Sequence, residues 1–233
     1  MNVAIVTAGG VGSRMKSEVP KQFITVNEIP IIIYTLKKFQ SCGAVDKIVV
    51  PCLKEWQPIL KGYIALHKIS KVDSIVDNGQ TGPDSIMNGL IYLKDKIKSD
   101  DIIIVHDGNR PLVTCQNIED AVKCCKKNGN AVAAIPTNEV VLEATTKSSF
   151  ATKILDRDAI KRTQTPHVFK YAEVVEIFEK NRQKGFSPVA AVDGAVNLKR
   201  KIYLSEGSPI NFKITEPDDL TLFKAYLERG DDV

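Results

Sequence analysis

The sequence predicts an α/β protein: a Rossmann-like, mostly parallel sheet flanked by helices, with a β-hairpin arm protruding from it. Three observations predict this. Short apolar runs such as Val3-Ala4-Ile5-Val6 and Ile102–His106 alternate with amphipathic stretches of helical spacing, the pattern of strands joined by crossover helices. Three glycines, Gly9, Gly10 and Gly12, stand directly behind the first run, where a strand-to-helix turn offers backbone N–H groups to anions. The stretch Glu139–Arg157 then breaks the alternation with two short apolar segments around a polar turn.

In chain order, Val3–Thr7 reads as the first strand and Ile31–Phe39 as a helix leading to a strand at Lys47–Pro51. Glu55–His67 reads as helix, Ser74–Asp77 as a short strand, and Ser85–Lys94 as helix. Ile102–His106 is apolar enough to be a strand buried on both faces. Ile118–Asn128 is helical and Ala131–Pro136 is a further strand. Val140–Ala144 and Ala151–Leu155 flank the turn Thr145–Ser149 as a hairpin. A lone two-stranded hairpin is marginally stable, so this arm is expected to lie against another surface, a second copy being the natural candidate. Helices follow at Ala172–Gln183 and Val192–Lys199, strands at Lys201–Leu204 and Ile210–Ile214, and a last helix from Pro217. Glu216-Pro217-Asp218-Asp219 suits a helix start, with proline in the first turn and acids facing the dipole. No repeat or linker divides the chain, so residues 1–233 are read as one domain with its arm at about 138–160.

Composition narrows the function. Hydrophobic residues make up 43% and charged residues 26% of the 233, ordinary for a globular protein. No apolar stretch approaches the roughly 20 residues of a membrane span. The N-terminus enters a strand without the basic and apolar regions of a signal peptide, so the cytoplasm is the expected compartment. A net charge of +4 fits an anionic small substrate and is too mild for a nucleic-acid partner. The cysteines at 42, 52, 115, 124 and 125 form no C-x-x-C pair, and their odd count argues for reduced thiols. With histidines only at 67, 106 and 167, no zinc pattern is visible.

The glycine loop fits neither common nucleotide motif. Gly10-Val11-Gly12 lacks the third small residue and the later acid of a dinucleotide fingerprint, and no Walker lysine follows. A phosphate-cradling loop with Arg14 and Lys21 beside it remains, as does a plain strand-to-helix turn without ligand. Pro20 restricts the backbone ahead of Lys21.

Ala8-Gly9-Gly10-x-Gly12-x-Arg14-Met15 followed by Pro20-Lys21-Gln22-Phe23 resembles the cytidylyltransferases that activate polyol phosphates. Two branches are known, acting on 2-C-methyl-D-erythritol 4-phosphate and on ribitol 5-phosphate. The resemblance recurs in order at Asp84-Ser85-Ile86 with Gly89-Leu90, His106-Asp107-Gly108-Asn109-Arg110-Pro111, Gln164-Thr165-Pro166 and Asn211-Phe212-Lys213-Ile214-Thr215. It implies transfer of CMP from CTP to a polyol phosphate with loss of pyrophosphate, Mg²⁺ as cofactor, and a homodimer.

On that resemblance, Ala8, Gly9, Gly10, Val11, Gly12, Ser13, Arg14, Lys21, Gly79, Ser85, Asp107 and Gly108 would bind the nucleotide. Asp107, Arg110, Glu139, Arg157, Asp193 and Lys213 would bind the acceptor. Arg14, Lys21, Lys213 and Arg157 would carry catalysis, and Asp107 would hold the metal. Ser85 also fits a simple helix N-cap, and Arg110 fits either acceptor phosphate or an internal carboxylate. His106 reads as a packed strand-end residue.

Four positions depart from the family pattern: Gly82 for arginine, Glu139-Val140 for Asp-Thr, His167 for glutamine, and Val192-Asp193-Gly194 for Thr-Asp-Glu. Most fall on the acceptor side, and the missing acid after Asp193 favours the ribitol branch, which serves cell-surface polymer synthesis. The alternatives are the methylerythritol branch of isoprenoid synthesis, a sugar-phosphate nucleotidyltransferase using another NTP, and a non-catalytic nucleotide-binding homologue.

Overall fold

The computed structural model describes residues 1–10, 19–145 and 149–230. The expectations for Val11, Gly12, Ser13 and Arg14, and the middle of the arm's turn, lie outside them. In chain order the elements are β1 Asn2–Thr7, β2 Thr25–Val26, β3 Ile29–Pro30, α1 Ile31–Ser41, β4 Lys47–Cys52, α2 Gln57–Leu66, β5 Val72–Asp77, α3 Gly82–Leu93 and β6 Ile102–Asp107. They continue with α4 Cys115–Asn128, β7 Asn130–Pro136, β8 Val141–Glu143, β9 Lys153–Leu155, β10 Lys161–Lys170, α5 Tyr171–Gln183, α6 Ala191–Asn197, β11 Leu204–Glu206 and α7 Pro217–Glu228.

Seven strands form the central sheet in the order β11-β7-β10-β6-β1-β4-β5, and only β10 runs antiparallel to its neighbours. Strand alternation divides the core. Ala4 and Val6 face the layer of α1, α2 and α4, packing with Ile33, Leu36, Leu60 and Ile118. Val3 and Ile5 face the layer of α3, α5 and α6, packing with Leu90, Ile177 and Ala195. A smaller cluster of Val26, Tyr34, Ile214 and Phe223 seats α7 on α1. From β1 the chain winds outward through β4 and β5, then returns through α3 to β6 on the other side of β1. The carboxyl ends of β1 and β6 are therefore the switch point where open sheets bind ligands.

Some expectations need correction. Residues 161–170, read only as a motif, form the longest strand; a register shift between Gln164 and His167 accommodates Pro166, the residue that argues against a central strand. Residues 210–214, read as a strand, join no ladder: Ile210 lies in a turn where the Asn211 N–H donates to the Ser208 carbonyl at 3.0 Å, and Ile214 spends its N–H on the Asn109 carbonyl at 2.9 Å. The strand placed at 201–204 lies instead at Leu204–Glu206. Helix α3 starts earlier than expected because Thr81 and Asp84 form a capping box, so Ser85 is not the N-cap. The short β2–β3 ribbon was not foreseen.

Candidate active site

Thr7 and Asp107 are paired residues at the carboxyl ends of β1 and β6, and a cleft of 390 Å³ opens beside them. Its walls include Gly9, Gly10, Lys21, Gly79, Ser85, Asp107 and Lys213, all singled out from the sequence. A larger depression of 840 Å³ between α3 and α5 has Met87, Ile91, Phe178 and Phe186 in its wall and none of those residues. The residues singled out for phosphate chemistry gather at the smaller cleft.

Asp107 is its electrostatic centre. Lys213 Nζ lies 2.9 Å from one carboxylate oxygen, and Arg110 Nε lies 2.9 Å from the other. Arg110 also donates through Nη1 to the Asn211 carbonyl at 2.8 Å, which ties the 211–214 segment to the β6 turn. Asn109 completes that tie by donating through Nδ2 to the Ile214 carbonyl. Burial alone would raise the Asp107 carboxyl. The Lys213 and Arg110 cations and their hydrogen bonds outweigh it and hold the group well below the usual carboxylate range. Asp107 is therefore ionised at every physiological pH, and its own N–H donates to the Thr165 hydroxyl at 3.1 Å.

The turn after β6 is compact for a steric reason. Gly108 donates its N–H to the Thr7 carbonyl at 3.0 Å, and a Cβ there would stand 2.5 Å from that oxygen. Thr35 of α1 donates its hydroxyl to the Gly108 carbonyl at 2.9 Å, anchoring the turn from below. His106, wholly buried, packs on Phe39 with ring centroids 5.0 Å apart and the rings tilted by 52°. Burial pushes its imidazole down to about 3, which fits packing and not proton transfer.

On the opposite wall, the Ser85 hydroxyl donates to the Thr81 carbonyl at 2.9 Å and accepts from the Gly79 N–H at 3.0 Å. Gly79 approaches α3 so closely that a Cβ would overlap Asp84 and the Ser85 nitrogen. Gly82, by contrast, has open space around it. Gln22 is buried with its amide nitrogen facing the Gly10 carbonyl at 2.9 Å and its amide oxygen facing the Gly10 N–H at 3.0 Å. The Gly10 N–H is thus engaged internally, and that glycine serves the cleft by its lack of a side chain.

The family model described as 2-C-methyl-D-erythritol 4-phosphate cytidylyltransferase, IspD, matches residues 2–229. The chain belongs to the IspD family. It is a nucleotidyltransferase of the cytidylyl-transferring class. A ribitol-5-phosphate cytidylyltransferase of Lacticaseibacillus paracasei is 40% identical over 233 residues, 97% of this chain and 98% of the relative. A 2-C-methyl-D-erythritol 4-phosphate cytidylyltransferase of Clostridium acetobutylicum is 34% identical over 99% of both chains. The solved structure of 4-diphosphocytidyl-2C-methyl-D-erythritol synthase from Anaerococcus prevotii superposes with a TM-score of 0.83 at 22% identity, covering 98% of this chain and 96% of its own. That likeness shows the IspD fold.

Within this IspD family member the cleft does not gather every residue singled out. Ala8 is fully buried and donates its N–H to the Pro51 carbonyl at 2.8 Å. Asp193 accepts from the Val189 and Ala190 N–H groups at 2.7 and 2.6 Å, which caps α6. Glu139 and Arg157 sit at the base of the arm outside the cleft wall; Arg157 is exposed, with Nη1 3.5 Å from the Asn138 carbonyl. Sequence reasoning missed Gln22, Thr165, Asn109 and Asn211 as supports of the site. All four lie inside the quoted motif blocks, but what their amides and hydroxyl bond is a tertiary matter.

Proposed function

We propose that the chain transfers CMP from CTP to ribitol 5-phosphate or a closely related alditol phosphate. The observation that carries this reading is the Lys213–Asp107–Arg110 cluster sharing one cleft with Lys21 at the switch point. The 40% identity to a ribitol-5-phosphate cytidylyltransferase supports the acceptor.

The reaction forms a bond from an acceptor phosphate oxygen to the α-phosphorus of CTP and breaks the bond to the bridging oxygen, so pyrophosphate leaves. The nucleophile is already an anion, and no general base is needed. The protein must align two polyanions and offset their repulsion. Lys21 meets the α-phosphate, where charge develops. Lys213 is half-exposed and held at the cleft by Asp107, positioned to meet the acceptor phosphate. Gly79 and Ser85 form the opposite, base-recognising wall, and Arg14 adds charge to the triphosphate.

The residues fit a magnesium ion. Asp107 would offer an ionised carboxylate oxygen once Lys213 leaves it, and one carboxylate suffices when phosphates and waters complete the shell. When bound, the ion would neutralise phosphate charge. Arg110 would keep the carboxylate oriented as Lys213 turns to the acceptor.

The arm supports assembly as a homodimer. Val140, Leu142, Phe150 and Ile154 are 68%, 56%, 71% and 70% exposed, more apolar surface than a lone hairpin keeps in water. In a dimer the arm would bring Glu139 and Arg157 to the partner's acceptor site, with Asp193 further along the acceptor side. Among the described residues no helix is long and apolar enough to cross a membrane. The cytoplasm is our proposal for the compartment, supported by the likeness to the cytidylyltransferase family.

Pyrophosphate release from CTP, UTP and GTP, each with ribitol 5-phosphate and with 2-C-methyl-D-erythritol 4-phosphate, tests the proposal. CTP with ribitol 5-phosphate should give the fastest turnover. Faster turnover with methylerythritol phosphate would move the chain to the other branch. Preference for UTP or GTP, or silence with all pairs, would remove the cytidylyl assignment.

A further inference from the structure

Beneath the active-site turn, two elements distant in sequence bring sulfur against sulfur. Cys42 caps the carboxyl end of α1, and Cys115 is the first residue of α4. Their Sγ atoms are 2.8 Å apart across a separation of 73 residues. Cys42 is wholly buried, whereas Cys115 is partly exposed. One turn further along α4, Glu119 Oε1 lies 3.2 Å from the Cys115 sulfur, placed to accept its proton.

These three side chains also form a possible metal-ligand set, the one such group among the described residues. The sulfur separation argues against that use. Two thiolates on a shared tetrahedral zinc, each about 2.3 Å from the ion, stand roughly 3.8 Å apart. The observed contact is shorter and needs roughly 0.8 Å of further approach to reach a bond of about 2.05 Å.

We propose that Cys42 and Cys115 are an oxidative modification site that closes into an intramolecular disulfide when the chain meets a peroxide. Glu119 accepts the Cys115 proton, and the thiolate attacks one peroxide oxygen. The O–O bond breaks, the leaving hydroxide takes the proton held by Glu119 and departs as water, and Cys115 is a sulfenic acid. The Cys42 sulfur then attacks the Cys115 sulfur, forming the S–S bond. The S–O bond breaks, and the leaving hydroxide takes the Cys42 proton, departing as water. Two thiols and one hydrogen peroxide give one disulfide and two waters. The cysteines are oxidised, and the peroxide is reduced.

The resting pair is slow to react, as a cytoplasmic thiol should be. Burial, with hydrogen bonds to Cys42 and Glu119, pushes the Cys115 thiol up to about 12. The geometry still favours the second step, because the resolving sulfur is already in contact. Cys52 and Cys125 are buried, and Cys124 points at the Leu204 carbonyl at 3.8 Å, so the other three cysteines are internal controls. The bond would tie α1 to α4 on either side of the Asp107–Arg110 turn, which Thr35 of α1 already anchors.

The experiment treats the full chain with hydrogen peroxide, alkylates it under denaturing conditions and maps the peptides by mass. A Cys42–Cys115 cross-linked peptide should appear, lighter by two hydrogens and cleaved by dithiothreitol. The thermal midpoint should rise by several degrees on oxidation and return on reduction. Cys115→Ser, at a partly exposed position, should keep the fold and lose both the cross-link and the shift. The proposal is overturned if both cysteines stay alkylatable, if Cys115 ends as sulfinic acid beside an unmodified Cys42, or if the cross-link joins other cysteines. Protection of both thiols from alkylation by stoichiometric zinc, without a cross-link on peroxide treatment, would overturn it in favour of a metal site.

Discussion

Lys213 Nζ lies 2.9 Å from Asp107 Oδ1, a contact between residues 106 positions apart that joins the end of β6 to the segment before α7. With Arg110 on the other oxygen, Asp107 is an anion between two cations. Its depressed pKa has a definite thermodynamic sign. The contribution to stability is fully present above the unfolded-state value near 3.9 and is lost as pH falls from there through the lower folded value. The difference in unfolding free energy between wild type and Asp107→Asn should therefore be flat from neutral pH to about pH 4 and shrink below it. A difference that already shrinks between pH 7 and 5 would mean that Asp107 does not hold this charge.

In the proposed reaction Lys21 meets developing charge, and it should then matter more to rate than to binding. Lys21→Ala is expected to lower kcat by about 10²-fold or more while CTP affinity falls less. Steady-state kinetics with CTP varied checks this. A kcat near wild type would make Lys21 a surface cation.

Gln22 should act through Gly10, not on substrate. In Gln22→Met, an unbranched apolar side chain leaves the Gly10 N–H and carbonyl without their 3.0 and 2.9 Å partners. We expect a loss of about five- to 150-fold in kcat/KM for CTP, the equivalent of the roughly 1–3 kcal/mol that unpaired buried groups cost. Gln22→Glu keeps the acceptor for the N–H but sets a carboxylate against the Gly10 carbonyl, and it should be no better. Unchanged kinetics in both variants would remove Gln22 from the positioning of the loop.

The glycines of the opposite wall should respond in opposite ways. Gly79→Ala forces a Cβ onto Asp84 and the Ser85 nitrogen and should lower the thermal midpoint and CTP binding together. Gly82→Arg, which restores the residue expected from the family pattern, meets open space and should fold like wild type with unchanged or tighter CTP binding. Calorimetric titration of CTP beside thermal melts separates the two. A destabilised Gly82→Arg would contradict the open geometry.

The arm should complete a neighbour's site. Arg157→Ala and Lys213→Ala homodimers should each be weak. On exchange of subunits, a mixed dimer has one doubly damaged site and one intact site. About half of the dimers are mixed, so roughly a quarter of wild-type activity should return. No recovery in verified mixed dimers would confine the arm to a structural role.

The sequence by itself determined the strands of β1 and β6, the helices between strands and several residues that line one cleft. Each of these is written locally: apolar runs of strand length, helical spacing, and glycine and cation motifs that keep their order. Lys21 is legible as a cation beside the glycine loop and Asp107 as an acid at a strand's carboxyl end, whereas Gly79, Ser85 and Lys213 are named through the family resemblance; one cleft is lined by all five. What only the tertiary structure decided is where backbone and side-chain polar groups find partners. The segment 161–170 became a central strand because β6 and β7 offered it two ladders, although Pro166 argued otherwise. The segment 210–214 did not become one, because Asn109 and Arg110 took its polar groups. Asp193 turned to cap α6. Cys42 met Cys115, and Lys213 met Asp107, across 73 and 106 residues. A local pattern records what a residue prefers, but a buried polar group must be satisfied by whatever the fold brings beside it, and that partner is fixed only when the layers close.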